Sequence, residues 1–90
     1  GPPEIELEFL DQGTGRVVLE YDSTDAAATQ GGAYKDHATV VACGDTLGWR
    51  SVAFMVPDAR FAGSQNGNAD FRFYHGGQNL FVRRVRVARR

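Results

Sequence analysis

The chain opens with a regular alternation of acidic and apolar residues. In residues 4–9 every even position is glutamate, and the odd positions are Ile5, Leu7 and Phe9. A period of two places the apolar side chains on one face of a β-strand and the glutamates on the other. The pattern therefore predicts a half-buried strand. A Gly-rich turn at residues 11–15 and an apolar run at residues 16–22 predict that this strand and the next form a hairpin.

Further β-like runs follow, separated by segments rich in Gly, Asn and Asp. Residues 23–32 are small and polar, which predicts a surface loop. Pro57 has no N–H to give to a sheet, so it ends the strand before it. Residues 58–67 predict a loop that reaches the core through Phe61. The remaining predicted strands are residues 33–43, interrupted near 36–37, then 49–56, 69–74 and 80–88.

The last of these runs does not keep a single phase. Leu80 and Val82 share one parity, whereas Val85 and Val87 share the other. A strict period of two cannot bury all four side chains on one face. A β-bulge at residues 83–84 adds one residue and restores the phase.

Six or seven antiparallel strands are expected, and no long helix is visible. Two packed sheets follow, because a single open sheet with six Phe would leave an apolar face in water. The sequence thus predicts an all-β fold, a two-sheet antiparallel β-sandwich of jelly-roll-like type.

Five of the ten basic residues lie in positions 83–90. They predict that the last strand lies beside the glutamates of the first; a basic tail for an acidic partner is the alternative.

Composition limits the function classes. Ninety residues, 42% of them apolar, suffice for one domain and one core. Gly1-Pro2 is typical of a tag-cleavage scar, so residues 3–90 are expected to be a single module excised from a larger protein. A net charge of −1 predicts neither a nucleic-acid nor a membrane partner. Cys43 is the single cysteine, so it forms no intrachain disulfide.

The residue types that catalysis requires are sparse. His37 and His75 are the only histidines, and neither lies beside a serine in a nucleophile-elbow context. Cys43 ends an apolar run, which predicts a buried thiol. Paired carboxylates for glycoside hydrolysis need a cleft, and ninety residues leave little room for one. The sequence therefore predicts a domain that is not an enzyme.

An acid- and amide-rich loop supplies a metal candidate. Calcium prefers carboxylate, amide and carbonyl oxygens, and Asp58, Asn68 and Asp70 offer them. Their spacing does not match an EF-hand. The alternative is that Asp70 pairs with Arg72 or with the backbone of its own turn.

Sugar binding requires exposed aromatic rings beside amide, carboxylate and guanidinium groups. Residues 34–37 follow a Gly pair and have no apolar partner, so they are expected to be exposed and to make the main contact; a polar edge strand without a binding role is the alternative. Trp49 is in phase with Ala53, which favours a core position over a sugar platform. The candidate sugar-binding residues are Tyr34, Lys35, His37, Tyr21, Asp22, Asn66 and Trp49.

Four segments, at residues 21–24, 49–54, 57–61 and 68–72, resemble a known family. They are similar to small β-sandwich carbohydrate-binding modules of galactose-binding-like, jelly-roll type, which are appended to bacterial glycoside hydrolases. The resemblance implies a secreted or cell-surface module that holds the catalytic domain of its parent chain on polysaccharide. It also implies a structural calcium ion, and sugar bound on a concave sheet face or in loops at one end.

The chain departs from that family in two respects. It is short, and it lacks an obvious row of exposed Trp, which favours soluble or amorphous polysaccharide over a flat crystalline surface. The alternative function is that of a structural accessory domain, which packs against a catalytic domain and stabilises it without binding sugar.

Overall fold

The acidic and apolar alternation forms the central strand of one sheet. The computed structural model describes residues 2–89, so Gly1 of the predicted scar and Arg90 of the basic end lie outside the described residues. Two single-turn 3-10 helices occupy Gln30–Gly32 and Asn66–Asn68. The strands within residues 2–89 are β1 (Pro3–Leu10), β2 (Arg16–Tyr21), β3 (Lys35–Asp36), β4 (Val41–Ala42), β5 (Trp49–Met55), β6 (Phe71–Tyr74) and β7 (Val82–Arg89).

Sheet 1 has the order β5-β1-β7, and both pairings are antiparallel. The odd positions of β1, which are Ile5, Leu7 and Phe9, are completely buried. Ile5 lies opposite Phe54 of β5 and Val87 of β7. The glutamates point to the opposite, outer face. The half-buried strand predicted from the alternation is confirmed.

Sheet 2 is built around β2. β3 and β6 both pair with Glu20 and Tyr21, so they lie on opposite sides of β2. β4 pairs with the start of β2 through Arg16 and Val17. The buried residues Val17, Leu19 and Tyr21 face the apolar side of β1. The predicted two-sheet antiparallel β-sandwich is therefore confirmed.

The predicted hairpin of the first two strands is wrong. β1 pairs with β5 and β7, whereas β2 pairs with β3, β4 and β6. At the end of β1 the backbone stays with sheet 1, because Leu10 N–H donates to Phe81 O and Asp11 N–H donates to Gly48 O. The chain then crosses to the other sheet. Alternation identifies the buried face of each strand, and two such faces can pack against each other instead of lying side by side.

The predicted bulge in the last strand is confirmed. Glu8 lies opposite Arg84 but Phe9 lies opposite Val82, so Arg83 is the extra residue. First and last strands are neighbours, as the charge pattern predicted. The Arg83 guanidinium donates to both carboxylate oxygens of Glu8 at 2.9 Å. The bulge restores the phase of β7, yet Val82, Val85 and Val87 remain 44%, 42% and 50% exposed.

Two smaller predictions also hold. Cys43 is buried, and Phe61 packs on the core from the loop that follows β5.

No helix among residues 2–89 has the length and apolar character needed to cross a bilayer.

Candidate functional site

The outer face of sheet 2 carries a shallow pocket of about 260 Å³. Val18 and Glu20 are the outward positions of β2, because the odd positions of that strand are buried. The register places Tyr74 beside Val18, and it places Arg72 and Asp36 on either side of Glu20. These five residues line the pocket.

An exposed aromatic ring stands at one end of this pocket. Tyr74 is the last residue of β6 and is 56% exposed. Its neighbour across the strands is the half-buried Val18. Together they give a small apolar patch next to charged groups, which is the surface that a sugar ring with one C–H face and several hydroxyls requires.

The charged groups of the pocket interact with one another. Arg72 Nε donates to Glu20 Oε1 at 2.6 Å, and this bond raises the pKa of Arg72. Burial raises the pKa of Asp36, and the neighbouring Glu20 carboxylate raises it further because two like charges oppose each other. Such pairs are frequent at functional sites.

Tyr34 lies under the arginine of this pocket. The Arg72 guanidinium carbon is 4.8 Å from the centre of the Tyr34 ring, within the range of a cation–π contact. The Tyr34 hydroxyl accepts a hydrogen bond of 2.8 Å from Asn66 N–H. Tyr34 is only 9% exposed, so the prediction that it is exposed is wrong. Arg72 covers it, and that cover comes from a strand far away in the sequence.

Two other predicted sugar-binding residues, Lys35 and Tyr21, point away from the pocket. Lys35 forms salt bridges with Asp25 and Asp58. The Tyr21 hydroxyl donates to Asp58 at 2.7 Å. Burial, followed by this bond to a carboxylate, raises the pKa of Tyr21 to about 12. These groups bind one another, and they hold β2, β3 and the loop after β5 together.

Asp22 and His37 also have structural partners. The fully buried Asp22 accepts hydrogen bonds from the Arg60 side chain and from Ala62 N–H. His37 Nδ1 accepts from Thr39 N–H, which leaves Nε2 to donate to a backbone oxygen of sheet 1, at Met55. The candidates Asp22 and His37 thus fasten loops to the sandwich, while Asn66 remains exposed beside Tyr34.

Trp49 lies on the other sheet, and its predicted core position is wrong. It pairs with Leu10 on the outer face of sheet 1 and is 45% exposed. The Arg83 guanidinium carbon lies 4.3 Å from the ring centre. Both parities of β5 carry large apolar residues, so phase alone did not identify the buried side. Phe54, of opposite parity, is the buried residue.

Two of the three predicted calcium ligands, Asp58 and Asp70, have protein partners. The Asp58 carboxylate contacts Tyr21 and Lys35, and Asp70 Oδ1 accepts a 2.8 Å bond from Gly63 N–H. Asn68 is exposed, with a positive φ of 60°. Within residues 2–89 there is no group of three or more His, Cys, Asp or Glu side chains suited to a metal ion. Calcium stays a prediction, which a chelator tests.

A second, larger pocket of about 430 Å³ lies on the outer face of sheet 1. Its lining is charged and contains no aromatic side chain, so it offers no platform for a sugar ring. The lining residues are Glu4, Glu6, Arg86, Ala88 and Arg89.

Sequence reasoning missed most of the sheet 2 pocket. Glu20, Asp36, Arg72 and Tyr74 meet only because β3 and β6 flank β2. The sequence offers one signal for this pocket, the alternation of β2, because Glu20 lies between buried residues and must therefore point outward. The alternation does not tell which strands lie beside β2, because the tertiary fold determines those neighbours.

No protein-family model matches this chain, and comparison with curated proteins and with solved structures also gave no match.

Proposed function

We propose that this domain is a non-catalytic carbohydrate-binding module whose contact surface is the outer face of β2, β3 and β6. The observation that carries the proposal is the pocket in which the exposed Tyr74 ring lies beside Glu20, Asp36 and Arg72. In this proposal the ring stacks on a sugar face, and the three charged side chains bind its hydroxyls. No bond is made or broken.

The position of the lining residues on strands supports binding. All five lining residues lie on strands, and the Arg72–Glu20 bond with the Arg72–Tyr34 contact fixes the guanidinium before any ligand arrives. Preorganised side chains lose little conformational entropy on binding. The pocket volume of about 260 Å³ falls below the roughly 300–1,000 Å³ of sites for drug-sized ligands, so a short stretch of a glycan is the proposed ligand.

The wider biological setting is part of the same proposal. A module of this kind acts in a secreted or cell-surface protein, where it keeps a catalytic domain of the same parent chain close to polysaccharide. The shallow charged pocket has one exposed ring, which favours soluble or amorphous glycans over crystalline surfaces.

Affinity gel electrophoresis against a panel of plant and algal polysaccharides tests the proposal. We expect at least one polysaccharide to retard the wild-type protein, and calorimetry to measure its affinity. Tyr74→Ala should weaken binding by about tenfold or more, the loss typical of an aromatic anchor. Trp49→Ala is the matched control, because it removes a half-exposed ring from the opposite sheet.

Two results would contradict the proposal. The first is that none of the polysaccharides retards the wild-type protein. The second is that Trp49→Ala abolishes retardation while Tyr74→Ala preserves it, which would place the contact surface on sheet 1. Circular dichroism of each variant verifies that lost binding is not lost folding.

A further inference from the structure

The last strand has an open edge with apolar side chains along it. Among residues 2–89, β7 pairs with β1 alone. Val85 and Val87 lie beside Leu7 and Ile5 on the core side of sheet 1, yet they are 42% and 50% exposed while their two neighbours are fully buried. Sheet 2 therefore covers β1 but not the core side of β7.

The outer side of the same edge is basic. Arg84 and Arg86 lie opposite Glu8 and Glu6 in the register. Glu8 is bound by the bulge residue Arg83, and neither Arg84 nor Arg86 forms a salt bridge with a carboxylate of residues 2–89. An added strand would thus meet valines on one side of its backbone and guanidinium groups on the other.

We propose that the β7 edge binds an extended strand of a partner polypeptide in which acidic and apolar residues alternate. Strand addition of this kind takes its affinity from main-chain hydrogen bonds and its specificity from alternate side chains. The acidic residues would pair with Arg84 and Arg86, and the apolar ones would cover Val85 and Val87. The docking site lies on sheet 1, so it is independent of sugar binding.

The molecule itself shows that such a strand fits β7. On its other side β7 pairs with β1, in which glutamates alternate with Ile5, Leu7 and Phe9. The register there sets carboxylates against Arg84 and Arg86 and apolar side chains against the valines. A strand with the same alternation meets the same two rows of side chains from the open side, together with the N–H and C=O groups of β7 that point away from β1.

A second copy of the chain is a poor occupant. Antiparallel pairing of two β7 strands brings two arginine rows together, and like charges directly opposite each other are destabilising. The other edge of sheet 1, β5, carries Trp49, Ser51, Ala53 and Met55 on its outer face, so it offers no carboxylate to the arginines.

A fluorescent peptide with the sequence of residues 3–10 is the probe. Its anisotropy, measured against the 90-residue protein, should rise to saturation. A control peptide in which lysine replaces each glutamate should bind at least about tenfold more weakly, because two or three cross-strand charge pairs change sign. The Arg84→Glu/Arg86→Glu variant should reverse this preference, and Val85→Lys should weaken both peptides.

Amide hydrogen exchange provides a second readout. Bound peptide should slow exchange in β7 and leave the outer face of sheet 2 unchanged. The proposal is overturned by absence of saturable binding, by equal affinity for both peptides, or by an unchanged preference in the folded double variant. Concentration-dependent dimerisation that the peptide reverses would also overturn it, because the edge would then serve a second copy.

Discussion

Substituting Asp22 tests the bonding of the loop between β5 and β6. Asp22 follows β2 and is fully buried. Its Oδ1 accepts from Arg60 Nη2 at 2.7 Å and from Arg60 Nε at 3.1 Å. Its Oδ2 accepts from Ala62 N–H at 2.8 Å and, more weakly, from Ser64 N–H at 3.4 Å. One carboxylate therefore satisfies donors from three residues of the loop.

The expected cost of Asp22→Ala follows from these bonds. A single hydrogen bond to a charged group contributes about 1.5–3 kcal/mol, and breaking a fully buried ion pair costs about 3–5 kcal/mol. Arg60 is 36% exposed, so water can solvate it once the carboxylate is gone. We expect a loss of about 3 kcal/mol, a large part of the roughly 5–13 kcal/mol typical of ninety residues.

Urea unfolding followed by circular dichroism measures this loss. Asp22→Asn is the matched control: it keeps one oxygen and the side-chain volume, and it should cost less than Asp22→Ala. A change below about 1 kcal/mol for Asp22→Ala would refute the reasoning, because the loop would then be held by other contacts.

The same carboxylate gives a pH dependence. Burial opposes ionisation of Asp22, but the bonds from Arg60, Ala62 and Ser64 outweigh it and lower the pKa below the ordinary 3.8. A lowered folded-state pKa stabilises the protein above the unfolded-state pKa, near 4, and this stability is lost as pH falls through the folded-state value. Between pH 5 and pH 2 the wild type should lose more stability than Asp22→Asn. Parallel curves would contradict this.

The remaining predictions concern stability. Gly32→Ala should cost about 3 kcal/mol, because φ at residue 32 is 101° and the added Cβ would lie 2.4 Å from Ser23 O. Gly31→Ala is the control and should cost about 1 kcal/mol, because no atom lies within 4 Å of its added Cβ. Equal urea midpoints for the two variants would contradict this. Tyr21→Phe should cost about 1–2 kcal/mol, because Asp58 loses a part-buried donor; an unchanged midpoint would show that the bond contributes nothing. If the calcium prediction is correct, excess chelator lowers the melting temperature, and an unchanged melting curve counts against it.

Most of the fold prediction rests on the two-residue alternation of apolar and polar positions. Alternation at residues 4–9 identified β1 and its buried face, and the phase change at residues 83–84 identified the bulge. Both are local properties of a strand that is apolar on one side only. The neighbours of β1 and β2 were harder, because many pairings satisfy one alternation. The turn at residues 11–15 gave a wrong pairing of the first two strands, whereas the charge pattern placed β7 correctly beside β1.

The sequence predicts the residues of the site less well than it predicts the fold. The polar neighbours of Tyr34 predict that its ring is exposed, but Arg72 covers the ring from a distant strand. The phase that Trp49 shares with Ala53 predicts that Trp49 is buried, but both residues are exposed. In each case a contact across strands decides the exposure, and the linear pattern does not contain that contact.

An NMR titration of the ¹⁵N-labelled protein with a soluble oligosaccharide, cut from whichever polysaccharide retards it, tests sugar binding by sheet 2 most directly. We predict saturable shifts confined to the amides of the pocket and its floor, which are Val18, Glu20, Tyr34, Asp36, Arg72 and Tyr74. Shifts centred on Trp49 and the outer face of sheet 1, or no shifts at millimolar sugar, would contradict the proposal.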